Sequence, residues 1–416
     1  MLHFGAVCPP GASHVTGMTT IGRELRRRGH RFTVFNIPDV EPLAASEDSE
    51  FCPLGLDDHP SGSFRKFSEK LSSLKGLPAL GFGLATARKE IEMILRDAPD
   101  AMRSTGIDAL LVDQGQPAGS TLARHLGVPF ATICNAIAVI PDPSVPPPTT
   151  PWQYNPHGLA RLRNHALYAG LELGFTPMLR TINRYRKQWG IEPLGSLYES
   201  RSRWAEISQL TADYDFPHEL LPKQFHYVGL LRRIGSARVP FPFDRLDGRP
   251  MVYATLGTVH SDTGGVLHRL AQACTKLNLQ LTITLGGKAD LSDCSGLPGS
   301  PIVVQNAPQL AVLERTAITF CHGGNNTVLE SLAAGVPVLA MPFFGDQFGS
   351  GPRLVRCGAG NVVPSRPSYE QLYQLLSRML NEPEYRQRAQ VMRLSIEKAG
   401  GEKRAADIIE EALCKT

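Results

Sequence analysis

The chain has 416 residues, which is too long for one ordinary hydrophobic core and predicts two domains of about 200 residues each. With 42% hydrophobic, 20% charged and 7% aromatic residues, the composition is typical of a globular protein and excludes disordered and fibrous classes. The formal net charge of +4 lacks the basic excess of nucleic-acid-binding proteins, so nucleic acid is not expected as a partner.

The amino-terminal residues predict no targeting segment. They contain no basic stretch and only a short apolar run, and no window elsewhere has 18 or more consecutive apolar residues. The eight cysteines are scattered singly without a CxxC pair, which is typical of reduced thiols. These features predict a cytoplasmic protein.

The first half of the chain predicts a parallel sheet. An apolar strand over 2–8 is followed by a Gly/Pro/Ser turn, a helix that ends near Gly29 and a second strand over 31–37, which is a βαβ unit. The basic end of this helix, including Arg28 and His30, is expected on a solvated face. The later elements predicted here are strands over 109–113 and 129–134, a helix over 118–126 and a proline-rich loop over 140–156.

A second α/β series is predicted after a proline- and glycine-rich interruption at 232–250, which is typical of an interdomain linker. The tail from Tyr369 is predicted to be almost entirely helical. The elements predicted between these segments are strands over 251–256, 281–285, 302–304, 318–320 and 336–341, with helices over 266–277, 309–314 and 326–334.

The strongest motif in the chain is a histidine followed by a glycine pair. A predicted strand delivers His322 to the Gly323-Gly324 turn, which opens a helix, and open α/β sheets bind ligands at such turns. The glycines permit close approach of a ligand, while the helix start offers free N–H groups and partial positive charge. The turn therefore suits a phosphate or diphosphate.

Three further polar residues occur near this turn. Glu330 lies further along the same predicted helix, where its carboxylate can accept hydrogen bonds from sugar hydroxyls, and Asp346 and Gln347 follow the next strand into the same crevice. A glycine pair alone more often makes only a tight turn. The joint occurrence of these residues makes a ligand site the better interpretation.

A second candidate site lies in the first half. His14 follows the first strand, and a neutral imidazole is suited to take the proton of a weakly acidic alcohol. Asp113 ends the predicted strand over 109–113 and could support the charge on His14, as in a catalytic triad. A lone histidine after a strand is more often structural.

Together these motifs resemble those of family 1 glycosyltransferases, the nucleotide-sugar-dependent enzymes with the GT-B fold, in which two Rossmann-like, doubly wound parallel-sheet domains face a central cleft. The resemblance covers essentially the whole chain and extends to the bacterial branch with carotenoid and macrolide glycosyltransferases. It implies an acceptor-binding domain over 1–231, a linker over 232–250 and a donor-binding domain over 251–385. Helices over 386–416 are expected to pack back toward the first domain.

The resemblance implies roles for individual residues. His14 would be the catalytic base and Asp113 its partner, while the pair Asp346-Gln347 would bind hexose hydroxyls and is usually associated with glucose. Glu330 would hold the ribose. The donor-binding residues that it implies are Thr258, Asn306, Gln309, His322, Gly324, Asn325, Asn326, Thr327, Glu330, Asp346 and Gln347.

The expected reaction is an inverting, metal-independent transfer of a hexose from a UDP-sugar co-substrate to a hydroxyl of a lipophilic carotenoid, terpenoid or polyketide. Plant members carry tryptophan at the positions of Asn306 and Asn325, so a dTDP-sugar stays open as the donor. The pattern has no HExxH or spaced Cys/His set typical of a catalytic metal, and no other cofactor is expected. The segment Asp213-Tyr214-Asp215 formally makes a DxD motif, but it precedes the linker and is interpreted as structural.

The sequence disfavours three other functions. A nicotinamide-dependent oxidoreductase needs GxGxxG at the first strand-to-helix turn, which this sequence lacks. A non-catalytic subunit that binds a sugar nucleotide or a lipid would normally have lost His14 or the diphosphate turn. The hexose pair Asp346-Gln347 disfavours a GT-B sugar-nucleotide 2-epimerase.

The acceptor is expected to bind to the first domain, and the protein is expected to be a monomer or a weak dimer. The apolar content of 77–95, 135–140 and the proline-rich loop suggests a lipophilic aglycone. The basic run over 161–187 is either a peripheral contact with an anionic membrane or a solvated helix face. The acceptor candidates are Phe82, Asn135, Trp152 and Tyr154.

Overall fold

The computed structural model describes residues 1–74, 76–231, 239–256, 265–286 and 291–414. Within these residues the chain forms two wholly parallel sheets with helices between most successive strands, so the predicted α/β class is confirmed. The strands are β1 His3–Val7, β2 Arg31–Asn36, β3 Glu50–Pro53, β4 Ala109–Asp113, β5 Phe130–Cys134, β6 Ala205–Ser208, β7 Phe225–Tyr227, β8 Met251–Thr255, β9 Gln280–Thr284, β10 Ile302–Val304, β11 Thr316–Cys321, β12 Val338–Ala340 and β13 Gly360–Val362. The helices are α1 Ala12–Arg27, α2 Glu41–Ser46, α3 Ser63–Ser73, α4 Gly76–Thr105, α5 Ala118–Leu126, α6 Gly158–Gln188, α7 Val266–Lys276, α8 Gln309–Leu313, α9 Asn325–Ala333, α10 Gln347–Cys357, α11 Tyr369–Asn381, α12 Pro383–Ala399 and α13 Gly401–Leu413.

The first sheet has its topological switch point between β1 and β4. Its strand order is β3-β2-β1-β4-β5-β6-β7, and Val7 pairs in register with Val112 across the switch. Ligands bind outside the carboxyl ends of parallel strands at such a point, because the connections leave in opposite directions and open a crevice. The residues that follow β1 and β4 therefore lie at the edge where a site is expected.

The second sheet repeats this arrangement. Its order is β10-β9-β8-β11-β12-β13, and the switch point lies between β8 and β11, where Thr255 pairs with Cys321. The strands β8 and β9 are buried along their whole length. The sequence of β8 is an almost continuous apolar run, as is typical of a strand covered on both faces, whereas β9 alternates leucine and isoleucine with buried threonines.

The predicted elements agree with the structure within two or three residues, but several elements were not predicted. The long helices α4 and α6 each contain a proline, Pro99 and Pro177, which weakens the local helix signal. The predicted proline-rich loop over 140–156 contains neither helix nor strand. Part of the predicted linker, 232–238, lies outside the described residues, and 239–250 contains one short turn of helix, Phe243–Arg245.

One buried apolar cluster joins the two halves of the chain. Ile137, Leu210 and Tyr214 from the first half pack with residues of α9, including Val328 and Leu332. Apolar burial stabilises by about 25 cal/mol per Å² removed from water. This cluster therefore contributes to the stability of both halves together.

The carboxyl-terminal helix α13 packs on the first half of the chain. Its buried face contacts α1, and the N–H of Gly401 donates to the carbonyl of Val228 at 2.6 Å. Arg28 donates to Asp407 at 2.7 Å and to Glu410 at 2.6 Å. The imidazole of His30 bonds to Glu410 at 2.9 Å.

The expectation that Arg28 and His30 lie on a solvated face is wrong. Their side chains are only 20% and 11% exposed, because α13 covers this end of α1. The basic residues at the end of α1 gave no indication in the sequence that their partners lie in α13. Among the described helices, none is long and apolar enough to cross a membrane.

The contact between Arg28 and α13 can be tested by substitution of Arg28. Replacement of Arg28 by alanine removes its charged hydrogen bonds to α13, which are partly exposed and contribute about 1 kcal/mol or more. We expect hydrogen exchange in α13 to accelerate about fivefold or more. The control is Arg27→Ala, since Arg27 bonds to Glu24 but is 67% exposed, and equal acceleration in both variants would contradict the expectation.

Candidate active site

His14 and Asp113 meet at the switch point of the first sheet. His14 lies in the first turn of α1, and its Nδ1 atom is 2.8 Å from Oδ2 of Asp113, the last residue of β4. The carboxylate is fully buried, whereas the imidazole is 25% exposed. Because Nδ1 faces the carboxylate, Nε2 is the ring nitrogen available to a ligand.

Asn135 completes the surroundings of Asp113. Its amide donates to Oδ2 of Asp113 at 2.7 Å and to the carbonyl of His14 at 3.3 Å, and the N–H of Gly115 donates to Oδ1 at 2.7 Å. A β-carbon at Gly17 would lie 1.8 Å from Oδ1 of Asn135, so only glycine permits this approach. Asn135 therefore orients the carboxylate as well as lining the cleft.

The charges around His14 favour its protonated form. Burial alone lowers the pKa of His14, but the charge and hydrogen bond of Asp113 outweigh it and raise the pKa above the ordinary value of 6.5. Glu90 on α4 and Asp346 from the second half also raise it. Burial raises the pKa of Glu90 to about 7, although His14 lowers it, and burial likewise raises the pKa of Asp346. Glu90 and Asp346 therefore each lie within electrostatic range of His14.

The predicted phosphate turn has the geometry that a close ligand approach requires. Gly323 adopts a φ of 77°, in the left-handed region that favours glycine, and a β-carbon at Gly324 would lie 2.2 Å from Nε2 of His322. The helix α9 begins at Asn325, immediately after the turn. The first backbone N–H groups of a helix have no partner within it, so they can bind an anion.

Asn325 supplies a second indication of a ligand at this turn. Its side chain is only 5% exposed, yet neither its amide nitrogen nor its oxygen has a hydrogen-bond partner among the described residues. Buried amides are nearly always satisfied, and an unpaired one is costly. The start of α9 therefore carries polar groups that a bound ligand could pair with.

The residues expected to bind the nucleoside are brought together beside α9. Gln309, at the start of α8, donates through Nε2 to the carboxylate of Glu330, which is fully buried. The hydroxyl of Tyr253 donates to Oε1 of Gln309 at 3.1 Å. Asn306 is exposed in the loop that precedes α8, and Thr327 lies in the first turn of α9.

The expected hexose residues lie at the start of α10. Asp346 is its N-cap residue, and Oε1 of Gln347 accepts hydrogen bonds from the backbone N–H groups of Phe343 and Phe344 at 2.9 and 3.1 Å. This arrangement leaves the amide nitrogen of Gln347 to donate to a ligand. Thr258, the remaining donor candidate, lies outside the described residues.

Of the four acceptor candidates, Asn135 contacts the His14 and Asp113 pair in the part of the chain that the structure describes. The other three lie in aromatic contacts with neighbouring side chains. The guanidinium of Arg163 is 3.8 Å from the ring centroid of Trp152, Tyr154 stacks on Phe216 at 5.5 Å, and Phe82 stacks on Phe67 at 5.7 Å.

Two residues of the site were missed by the sequence analysis. Gln209 follows β6, is 2% exposed, and donates both to the carbonyl of Asn135 and to Oδ1 of Asn326 at 2.7 Å. It therefore links the first half to the start of α9. Glu90 lies in the middle of a helix that was not predicted. A position just after a strand was the available signal for Gln209. Glu90 lies within the stretch 77–95 that was expected to bind the acceptor, but nothing in that stretch distinguished this carboxylate.

Within the described ranges, no group of three or more His, Cys, Asp or Glu side chains has the arrangement of a metal site. The cysteines of this part of the chain are free thiols, and Cys321 is buried next to His322.

Known proteins are similar to this chain both in sequence and in fold. The model of the UDP-glucoronosyl and UDP-glucosyl transferase family matches residues 196–399. The chain is 31% identical to zeaxanthin glucosyltransferase from Pantoea ananas, over 100% of this chain and 96% of that protein. It is 30% identical to zeaxanthin glucosyltransferase from Pseudescherichia vulneris, over 99% and 98% of the two chains. The crystal structure of CalG4, the calicheamicin glycosyltransferase, has a TM-score of 0.78 at 21% identity, covering 100% of this chain and 99% of the other.

The pair His14 and Asp113 can be tested by titration. We expect the pKa of His14 to lie above 6.5 in the native protein and to fall in the variant Asp113→Asn, because burial then dominates. NMR of labelled imidazole carbons measures both values, and the spectrum of His14→Gln assigns the signal. The control is Asp100→Asn, which changes an exposed carboxylate on α4. An unchanged pKa in Asp113→Asn would show that the carboxylate does not control the imidazole.

Proposed function

The chain belongs to the UDP-glucoronosyl and UDP-glucosyl transferase family, the family 1 glycosyltransferases of GT-B fold, and from that premise we propose that it moves glucose from UDP-glucose to a hydroxyl of a lipophilic small molecule. As a member of this family it is a UDP-glycosyltransferase that acts on small molecules with a nucleotide-sugar donor. The sugar, the acceptor class and the roles of individual residues are part of the proposal.

The observation that carries the proposal is the pair of His14 and Asp113, with Asp346 of the second half of the chain within electrostatic range of the imidazole. The imidazole bonds to a buried carboxylate at 2.8 Å through Nδ1, and Asp346 raises its pKa. A base supported by one half thus lies within electrostatic range of the proposed hexose-binding residue of the other. An acceptor hydroxyl between them would be close both to the base and to the sugar.

The proposed reaction is a single in-line displacement. Nε2 of His14 takes the acceptor proton while the acceptor oxygen attacks the anomeric carbon, the bond to the diphosphate breaks, and the configuration inverts. Asp113 stabilises the imidazolium that forms. The charge that develops on the leaving UDP is met by the N–H groups at the start of α9 and by His322, so the step requires no metal in this proposal.

The proposed donor is UDP-glucose. Gln309 and Glu330, which bond to each other, are placed to bind the base and the ribose, while Asp346 and Gln347 bind hexose hydroxyls. The two zeaxanthin glucosyltransferases that match the whole chain at 31% and 30% identity are named for glucosyl transfer to zeaxanthin. These names support glucose as the sugar and a hydroxylated carotenoid as one acceptor to test.

We further propose that the first half, 1–231, binds the acceptor and that 251–385 binds the donor, with 232–250 as the linker. Each half contributes one switch-point crevice, and each crevice contains one of the two residue sets. Among the acceptor candidates, Asn135 supports the proposal by its contact with His14. Phe82, Trp152 and Tyr154 remain proposed acceptor residues.

An assay of sugar transfer tests the donor, the acceptor and the base. We expect UDP-glucose, incubated with hydroxylated carotenoids, terpenoids and polyketides, to give a glucoside detected by mass spectrometry. His14→Ala should lower the rate about 100-fold or more while donor binding is retained. The control His268→Ala removes an exposed imidazole on α7 and should leave the rate unchanged.

The other outcomes of this assay distinguish the rival functions. Transfer from dTDP-glucose alone would overturn the UDP-sugar proposal, and donor binding without transfer to any acceptor would favour a non-catalytic subunit. Conversion of the sugar nucleotide to its 2-epimer would identify an epimerase.

The exposed face of α6 supports a peripheral membrane contact, which we also propose. Leu159, Leu162 and Leu173 recur at helical spacing and are 83%, 63% and 75% exposed, whereas Asn164 and Tyr168 on the opposite face are buried. An outward helix face is normally polar, so an apolar one indicates an interaction surface. The helix carries six basic residues and one carboxylate, which suits an anionic lipid bilayer.

Vesicle flotation tests this surface. We expect the protein to float with vesicles that contain phosphatidylglycerol and to remain unbound with phosphatidylcholine alone. The double variant Leu162→Gln with Leu173→Gln should reduce the bound fraction about tenfold. The control Leu394→Gln changes a leucine of α12 that is also 63% exposed, and equal loss in both proteins would contradict the role of α6.

A further inference from the structure

The segment 209–216, which follows β6, contacts both helices that carry the proposed donor residues. Gln209 donates to Asn326 at the start of α9, and Tyr214 and Asp215 contact α10. We propose that this segment positions the hexose-binding end of α10 relative to His14, so that Asp215, Arg353 and Gly349 are positioning residues for sugar transfer. The roles of Asp346 and Gln347 in this inference rest on the proposed function.

A buried ion pair is the strongest contact between the segment and α10. Nε of Arg353 donates to Oδ1 of Asp215 at 2.7 Å, and both side chains are 1% exposed. The same guanidinium donates to the carbonyl of Gly349 at 3.0 Å, and Arg356 donates to the carbonyl of Asp215 at 2.9 Å. A buried charge that loses its partner is strongly destabilised, so this pair fixes the distance between the two elements.

The remaining contacts lie on the same face of α10. The hydroxyl of Tyr214 donates to the carbonyl of Ser350 at 3.2 Å, and a β-carbon at Gly349 would lie only 2.3 Å from the carbonyl oxygen of Pro148. Residues 349, 350, 353 and 356 follow helical spacing, so one continuous face of α10 lies against the first half of the chain.

Both oxygens of Asp215 have further partners beside Arg353. Oδ2 accepts from the hydroxyl of Tyr227 at 3.0 Å and lies 3.6 Å from Nε2 of His218, and Oδ1 also accepts from the N–H of Phe216 at 2.8 Å. The guanidinium of Arg353 lies 4.3 Å from the ring centroid of Phe216. Neighbouring side chains therefore hold the ion pair on both sides.

The loop that precedes α10 is linked to this helix by hydrogen bonds. The hydrogen bonds from Phe343 and Phe344 to Gln347 tie this loop to the helix, so Asp346 and Gln347 move with α10 as one unit. Because α10 is fixed to the first half, the distance from these residues to His14 is set by the contacts of segment 209–216 rather than by the second sheet alone.

The variant Gly349→Ala displaces α10 without removing a charge. Alanine is compatible with the helix, but its β-carbon meets the carbonyl of Pro148. We expect kcat for sugar transfer to fall about tenfold or more, since small misplacements of binding groups are costly, while the Kd of free UDP changes less than twofold. The control Val355→Ala lies on the exposed face of the same helix and should behave as the native protein.

Equal loss of UDP affinity and of transfer in Gly349→Ala would indicate general disruption and would overturn the inference. Transfer equal to that of Val355→Ala would overturn it as well.

The variant Asp215→Asn tests the ion pair without an activity assay. We expect hydrogen exchange to accelerate in 347–357 but not in 266–276, the helix α7 of the same half. Acceleration in both segments, or in neither, would contradict a local positioning role. If the native protein transfers no sugar, the proposed function fails, whereas this exchange experiment still decides the inference.

Discussion

The carboxyl ends of the two parallel sheets determine where chemistry can occur in this protein. In a parallel sheet the carboxyl ends of all strands lie at the same edge, so residues that are far apart in the sequence come close together there. His14 follows β1, Asp113 ends β4, His322 follows β11 and Asp346 lies between β12 and α10. The same rule places His14 and Asp113, the proposed base and its partner, in one crevice and the proposed diphosphate turn in the other. A reaction between two substrates then requires only that the two edges face each other.

The carboxyl groups near His14 differ in their surroundings. Asp113 accepts hydrogen bonds from Asn135, from a backbone N–H and from the imidazole, so both of its oxygens are held in place beside His14. Burial raises the pKa of Glu90 to about 7 and also raises that of Asp346, so these two groups gain a proton more readily. Neighbouring titratable groups whose environments shift their pKa values are typical of acid–base sites.

Much of this fold could be predicted from the sequence, because its strands are short apolar runs followed by glycine or polar residues. The pairing of His14 with Asp113 could be predicted for the same reason, since both follow strands. Arg28, Glu90 and Gln209 could not be assigned, because their partners lie far away in the sequence and no local pattern encodes them. The helix α4 was missed because Pro99 interrupts its pattern, and α6, which contains Pro177, was anticipated only as a helix face in the basic run over 161–187. Tertiary contacts, rather than propensity, decided these elements.

The residues that surround the Asp213-Tyr214-Asp215 segment determine its role in this protein. As a DxD motif it could suggest metal binding, but each carboxylate has a protein partner: Asp213 accepts from the hydroxyl of Ser395 at 2.6 Å, and Asp215 pairs with Arg353. Both partners lie in the second half of the chain, and Tyr214 between them belongs to the apolar cluster that joins the halves. The segment therefore forms part of the interface between the two halves. The aromatic ring contributes buried area, and the two carboxylates contribute directional hydrogen bonds. A buried ion pair is strongly destabilised when its partners separate, so it restricts how the two halves of the chain can shift, and this restriction bears on the distance between the proposed base and the proposed sugar site.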